Sequence, residues 1–252
     1  VKRILVTNDD GVFSEGIKLL AKALEPLAEV TVVAPDREQS ATGHALTLQR
    51  PLRMRQIGER VYSVDGTPTD CVNLGVLWLM RDQLPDLVVS GINFGSNLGD
   101  DVTYSGTVSA TFEGTLQGIP SVAFSQQVAK PFSFAPGAAF AARLVDILLH
   151  NELPPDLLLN VNFPAGEFRG VRLTKLGRRR YQQAVVEKLD PQGREYYWIA
   201  GKPVWSQSEG ADQDAVHEGM ISITPLHLDL TDYRGLESYG WLQEQLDGPG
   251  DD

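Results

Sequence analysis

A set of short apolar runs, each stopping abruptly at a cluster of polar residues, constrains this chain most. Arg3–Thr7 meets Asn8-Asp9-Asp10-Gly11, Val30–Ala34 meets Pro35-Asp36-Arg37-Glu38-Gln39-Ser40, and Asp86–Ile92 meets Asn93 and the loop Phe94–Asp101. Such runs, without polar alternation, are the pattern of strands buried on both faces. Between them the spacing turns helical: Ile17, Leu20, Ala21, Leu24 and Leu27 share one face of Ser14–Leu27. A second helix begins at Thr67-Pro68-Thr69-Asp70 and runs to about Met80, with Thr67 as cap, Pro68 in the first turn and Asp70 three residues on. Thr107–Gly118 reads as a third helix and Pro120–Ser125 as a fourth main strand. Strands joined by helical crossovers predict a mostly parallel sheet covered on both faces, a three-layer α/β fold of Rossmann-like type.

Ala45–Gln49, Leu52–Ile57 and Val61–Val64 read as shorter, more exposed strands in an insertion. The second half changes character. Ala135–Leu149 predicts a helix, and Leu157–Phe163 a strand that rejoins the sheet. Val171–Leu176, Tyr181–Leu189 and Glu195–Ala200 read as hairpins, Met220–Pro225 as one more strand, Tyr233–Gln245 as an amphipathic helix, and Gly248–Asp252 as a loose tail. A hairpin arm bearing Tyr196, Tyr197, Trp198 and Trp205 has too little covering sequence to bury itself, and is expected to pack on a partner subunit. The expected division is a catalytic core over 1–165, then an arm, a returning strand and a C-terminal helix over 166–252 that serve oligomerisation.

Composition removes several classes. With 42% hydrophobic and 22% charged residues the chain is neither disordered nor fibrous. No run approaches the roughly 18 consecutive apolar residues of a membrane span, and the first strand meets Asn8-Asp9-Asp10 before a signal-peptide core forms. A cytoplasmic protein off the membrane is expected. Acidic residues outnumber basic ones by 33 to 22, for a net charge of −11. Such a chain repels nucleic acid unless it carries a local basic patch, and nucleic acid is not an expected partner. Cys71 stands alone, which excludes an internal disulfide and a cysteine-rich zinc site, and reads as a small buried residue.

In an open parallel sheet ligands bind outside the carboxyl ends of the strands, where the three polar loops converge. Adjacent carboxylates at Asp9 and Asp10 repel each other, and a divalent cation relieves the repulsion. Ser40 and Asn93 add neutral oxygens, a donor set suited to one Mg²⁺ or Mn²⁺. The four histidines show no metal-ligand pairing. Tyr104-Ser105-Gly106-Thr107 opens a helix on the same edge, where free N–H groups favour an anion; a hard cation beside an anion cradle fits phosphate. Arg178-Arg179-Arg180 reads either as a solvated turn or as a grip on a longer phosphate chain, and His44 either as a surface residue or as a substrate contact. There is no dinucleotide fingerprint, P-loop or G-x-S-x-G elbow.

Asn8–Gly11, Val33-Ala34-Pro35-Asp36-Arg37 with Ser40, Gly66-Thr67-Pro68-Thr69-Asp70-Cys71, Ser90-Gly91-Ile92-Asn93 and Tyr104-Ser105-Gly106-Thr107 together resemble the survival protein SurE family. The resemblance implies a divalent-metal-dependent phosphatase, a 5′/3′-nucleotidase acting on nucleoside 5′- and 3′-monophosphates, with some members also trimming polyphosphate. It implies metal ligation by Asp9, Asp10, Ser40 and Asn93, with the two aspartates catalytic. Phosphate is implied near Asn97, Ser105, Gly106 and Thr107, while Asn8, Gly43 and His44 line the substrate loops. It also implies a homodimer or homotetramer in which the arm and C-terminal helix are exchanged between subunits. The competing readings are a nucleotide-binding module without turnover and a receiver-like phospho-switch. A receiver needs a phospho-accepting aspartate where this chain has Asn93, and is about half as long.

Overall fold

A computed structural model describes residues 1–182, 185–199, 202–206 and 208–247. The expected tail Gly248–Asp252, Ala200 at the end of one predicted hairpin strand, and residues 183–184 of another lie outside the described residues.

Nine strands form one sheet. In chain order they are β1 (Arg3–Thr7), β2 (Glu29–Pro35), β3 (Met54–Gly58), β4 (Val61–Val64), β5 (Leu87–Phe94), β6 (Ser121–Gln126), β7 (Leu158–Phe163), β8 (Gly170–Leu173) and, after the arm, β13 (Met220–Pro225). Their order across the sheet is β3-β4-β2-β1-β5-β6-β7-β13-β8. From β4 to β7 every pairing is parallel; β3 and β13 enter antiparallel, and β8 runs parallel to β13. Parallel strands buried on both faces need no polar alternation, which is why the apolar runs were legible.

Alternate residues of β1 serve opposite layers. Ile4 and Val6 pack with Ile17, Leu20 and Leu24 of α1 (Glu15–Leu24). Leu5 packs on the other side with Cys71 and Val72 of α2 (Pro68–Leu74) and Ala110 of α3 (Gly106–Leu116). Helix α4 (Ala135–Leu149) lies beside α1 and contributes Ala138, Ala141 and Val145 to the same core. The three-layer architecture follows.

The capping box at the start of α2 forms as read: the Asp70 N–H donates to Thr67 Oγ1 at 3.1 Å, and the Thr67 N–H donates to Asp70 Oδ2 at 2.9 Å. The same box explains one correction. Ala45–Gln49 is not a strand, because its backbone pairs with side chains: the Thr47 N–H donates to Asp70 Oδ1 and the Thr67 hydroxyl to the Ala45 carbonyl. Helix α2 also stops short of Met80. It widens at Gly75–Leu79 into a turn closed by the Met80 N–H on the Gly75 carbonyl, with Gly75 pressed against Leu5.

The arm nests two antiparallel pairs, β9 (Arg178–Gln182) with β12 (Lys202–Ser206) and β10 (Val185–Leu189) with β11 (Glu195–Ile199). Val171–Leu176 is not part of a hairpin; its strand β8 joins the main sheet. After α5 (Asp212–His217), which the sequence reading lacked, β13 returns to β7. The C-terminal helix is two, α6 (Tyr233–Ser238) and α7 (Gly240–Leu246), broken at Tyr239 just before Gly240, a poor helix former. On the arm Trp198 and Ile199 stay 61% and 91% exposed. Among the described residues no helix is long and apolar enough to cross a membrane.

Candidate functional site

β1 and β5 are neighbours in the sheet, yet the chain leaves β1 toward β2 on the opposite side before returning to β5. A crevice opens at such a switch point, and Asp9, Asp10 and Asn93 sit on its two lips. Asn8 shapes the first lip: its Nδ2 donates to the Gly11 carbonyl at 3.0 Å and to Ser14 Oγ at 2.8 Å. Its NH2 group is thus spent inside the loop, while its buried Oδ1 has no hydrogen-bond partner among the described residues. Gly11 has φ +94° and lies against the Arg37 backbone, where a side chain would collide. This tight turn leaves Asp9 buried and Asp10 half-buried.

Asp9 faces the start of α3. The Thr107 hydroxyl donates to Asp9 Oδ1 in a short contact. Gly106 makes room: a Cβ there would fall 2.8 Å from Asp9 Cβ and 3.0 Å from Asp9 Oδ2. Asp10 Oδ2 accepts the Phe94 N–H at 3.0 Å. Burial raises the Asp9 carboxyl to a pKa of about 6, partly offset by the Thr107 hydroxyl and reinforced by the charge of Asp10. Burial also raises Asp10, with the Phe94 N–H opposing and the Glu38 charge adding to the rise.

Asn93 reaches the same crevice through an irregularity in β5. Ser90 pairs with Ala123 but Asn93 with Ser125, so the β5–β6 register shifts, and Gly91 takes φ +130° against the Phe124 carbonyl. Asn93 Nδ2 donates to the Gly95 carbonyl at 2.9 Å, and Oδ1 has no partner among the described residues. Ser40 is exposed; its hydroxyl donates to Glu38 Oε1 at 2.7 Å, and the preceding Gln39 N–H anchors its loop to the Asp9 carbonyl at 2.7 Å.

Two carboxylates that repel each other, one of them buried, together with a free amide oxygen and a hydroxyl oxygen, make an oxygen-only donor set without imidazole or thiolate. That chemistry fits a hard divalent cation. Among the described residues no group of three or more His, Cys, Asp or Glu is placed to hold a metal ion, so a cation here would depend on the neutral oxygens as well as on the two carboxylates.

The residues read as a phosphate cradle divide their work. Ser105 Oγ accepts the Val108 N–H at 3.1 Å and Thr107 Oγ1 is engaged with Asp9, so these side chains serve the protein, and an anion would have to be met by backbone N–H groups at the helix start. Asn97 is 8% exposed: its Nδ2 donates to Ser125 Oγ, its N–H to Asn162 Oδ1, and its carbonyl accepts from Asn160 and Asn162. Gly43 and His44 brace the opposite loop. The Gly43 N–H donates to the Tyr104 carbonyl at 3.1 Å, and His44 Nε2 sits 2.9 Å from Glu113 Oε2, which holds the Glu113 carboxyl below its ordinary range.

Three contributions escaped the sequence reading. Glu38 adds a third negative charge at the rim. Asn160 and Asn162 fix the Asn97 loop, and two buried amides in an otherwise apolar strand were a readable signal. Asp212, fully buried, accepts the N–H groups of Gly99, Gly177 and Gln213 at 2.8, 2.9 and 2.9 Å, tying the end of the Asn97 loop to the base of the arm. Nothing local in the sequence marks it.

By architecture this is a doubly wound α/β chain with an acidic crevice of oxygen donors at its switch point. Comparison with known proteins narrows this: the profile of the Survival protein SurE family matches residues 4–183, and the chain belongs to the SurE family. It is 54% identical to 5′-nucleotidase SurE of Syntrophotalea carbinolica over 93% of this chain and 94% of the relative. It is 52% identical to 5′-nucleotidase SurE of Myxococcus xanthus over 98% and 95%, and 51% identical to 5′-nucleotidase SurE 1 of Thermus thermophilus over 96% and 98%. The crystal structure of SurE protein from Aquifex aeolicus superposes with a TM-score of 0.86 at 46% identity, covering 96% of this chain and 99% of that one.

Proposed function

We propose that this chain is a nucleotidase that hydrolyses the phosphomonoester of nucleoside monophosphates, 5′ and 3′, with one Mg²⁺ or Mn²⁺ per subunit. The supporting observation is the meeting of Asp9, Asp10, Asn93 and the Ser40 loop beside the N-terminus of α3. The family's named relatives, 5′-nucleotidases over nearly their whole length, point the same way.

Asp9, Asp10, Ser40 and Asn93 would hold the cation. When bound, it supplies neutralisation of phosphoryl charge and acidification of water. The chain's own groups do the rest. Backbone N–H groups at Gly106 and the α3 start bind phosphoryl oxygens that gain charge in the transition state. Asp9, held at Oδ1 by the Thr107 hydroxyl, takes the proton of the attacking water. The nucleoside alkoxide leaves in line, opposite the water. Short polyphosphate is a further substrate of the same site. We assign residues 1–165 to catalysis and most of 166–252 to self-assembly into a dimer or tetramer; the exposed aromatic residues of β11, Tyr196, Tyr197 and Trp198, support this. We also place the protein in the cytoplasm, away from membrane and nucleic acid, consistent with its acidity and its single buried thiol.

The test is phosphate release from AMP with Mn²⁺, with and without EDTA. Metal-dependent release is the expected result. Binding without release would favour the non-catalytic readings.

A further inference from the structure

The segment that carries Ser40 also walls a second, separate feature. Leaving β2, Asp36 and Arg37 combine with the β3–β4 hairpin to form an open groove of about 450 Å³, lined by Arg37, Arg50, Arg53, Arg55 and the carboxylates of Asp36 and Asp65. Four guanidinium groups face two carboxylates there, in a chain whose net charge is −11.

Internal pairing does not consume this positive charge. Asp65 serves two arginines: its Oδ1 lies 3.3 Å from Arg50 and its Oδ2 3.9 Å from Arg53. Arg37 has only a loose contact to Asp36 at 3.8 Å and is 66% exposed. Arg55 has no carboxylate within ion-pair distance among the described residues. Arg53 and Arg55 are two apart on the chain, so they project to the same side of the hairpin, with Ser63 opposite Arg55. Of the triple-arginine stretch, Arg179 is committed elsewhere. The Arg179 N–H donates to Asp100, its guanidinium pairs with Asp101, and it lies 5.1 Å over the Trp205 ring. The Arg180 side chain is outside the described residues.

The groove adjoins the metal-ligand loops. The Asp36 N–H donates to the Val64 carbonyl, Gln39 is anchored to Asp9, and Gly11 packs on the Arg37 backbone. Ser40 is three residues beyond Arg37, so their Cα atoms are at most about 11 Å apart, the reach of an extended chain of that length.

We propose that this groove is a subsite for a second phosphoryl group: Arg37 and Arg55 bind the phosphate or phosphates of a multiply phosphorylated ligand beyond the one placed at Asp9 and Asp10. The subsite rests on the nucleotidase reading for its neighbour, and on its own arginines for its chemistry. Guanidinium presents a planar fork to two phosphate oxygens, a match that a carboxylate-poor groove leaves available. A ligand with one phosphate has nothing to place there; a nucleoside bisphosphate or an inorganic oligophosphate does.

The test compares wild type with Arg37→Gln/Arg55→Gln, leaving Arg50 and Arg53 to hold Asp65. Phosphate release is measured with Mn²⁺ on AMP, adenosine 3′,5′-bisphosphate and inorganic triphosphate, with thermal midpoints as a folding check. The double variant should raise KM for one or both multiply phosphorylated substrates about ten-fold, as expected for two charge-assisted pairings lost, and leave kcat/KM for AMP within about two-fold. Loss on the bisphosphate alone identifies an organic ligand, and loss on triphosphate alone an inorganic one. Equal loss on AMP, or no loss on either of the others, overturns the subsite. If the pair fails to fold, Arg37→Gln alone carries the same comparison. If wild type releases nothing from AMP, the nucleotidase reading fails while the groove is still tested: triphosphate binding in EDTA, followed by calorimetry, must weaken in the variant, and unchanged affinity overturns the proposal.

Discussion

The Thr107 hydroxyl donates to Asp9 Oδ1 although 98 positions of sequence separate the two residues. The bond fixes one oxygen of a buried carboxylate at the start of α3. Thr107→Val removes the donor at nearly constant volume. Asp9 then rises further above its ordinary range, and Mn²⁺ affinity should fall about ten-fold, the usual scale for losing an outer-sphere partner. Thr107→Ser should recover most of it. Calorimetric titration with Mn²⁺ gives the answer, and unchanged affinity in the valine variant would remove Thr107 from the site.

Asp9 itself makes stability depend on pH. Its folded pKa of about 6 lies above the value of 3.8 for an unperturbed aspartate. Folding therefore takes up a proton between those values, and the metal-free protein loses stability as pH rises through that window, with no loss below it and none added above. The span is on the order of 2–3 kcal/mol. Asp9→Asn abolishes this contribution. In EDTA the variant should gain on wild type in urea midpoint between about pH 4 and about pH 8, the sign expected from linkage. A gap that stays constant with pH would contradict the buried, proton-binding state of Asp9.

Gly106 carries a steric demand. An added methyl group would meet Asp9 Cβ at 2.8 Å and Pro68 Cγ at 3.2 Å. Gly106→Ala should push the Asp9 carboxylate out of place, with a stability cost of about 1–3 kcal/mol and a fall in kcat larger than the change in KM. Wild-type turnover in a folded Gly106→Ala protein would show that Asp9 can move without consequence.

The fold was legible where a residue's own neighbours decide its state. Apolar runs buried on both faces announced β1, β2, β5 and β6, and the Thr67 cap announced α2. The segments that went astray depend on distant partners. Ala45–Gln49 looks like a strand until Asp70 and Thr67 take its backbone bonds. Val171–Leu176 looks like half a hairpin, but β13, arriving some fifty residues later, gives it a place in the main sheet. At the site, residue types at strand ends were readable, whereas the hydrogen bonds that orient them were not. Thr107 resembles any helix-start hydroxyl, and Asp212 any surface aspartate, until tertiary structure brings their partners.

Asp212 illustrates this dependence. Its carboxylate satisfies three buried N–H groups, on Gly99, Gly177 and Gln213. Asp212→Ala strands all three, and should cost at least about 2 kcal/mol. Asp212→Asn keeps one acceptor and should cost less. Because Gly99 closes the loop containing Asn97, the alanine variant should also lose kcat. Urea denaturation with phosphate-release kinetics checks both parts, and an alanine variant as stable and as active as wild type would contradict the clamp.

The central claim is that oxygens from β1, the β2 loop and β5 surround one dication. An anomalous difference map from a Mn²⁺-soaked crystal tests it most directly. One peak per chain, in contact with Asp9, Asp10, Asn93 and the Ser40 hydroxyl, is the expected result. No peak in the crevice, or a peak held by other residues, would contradict it.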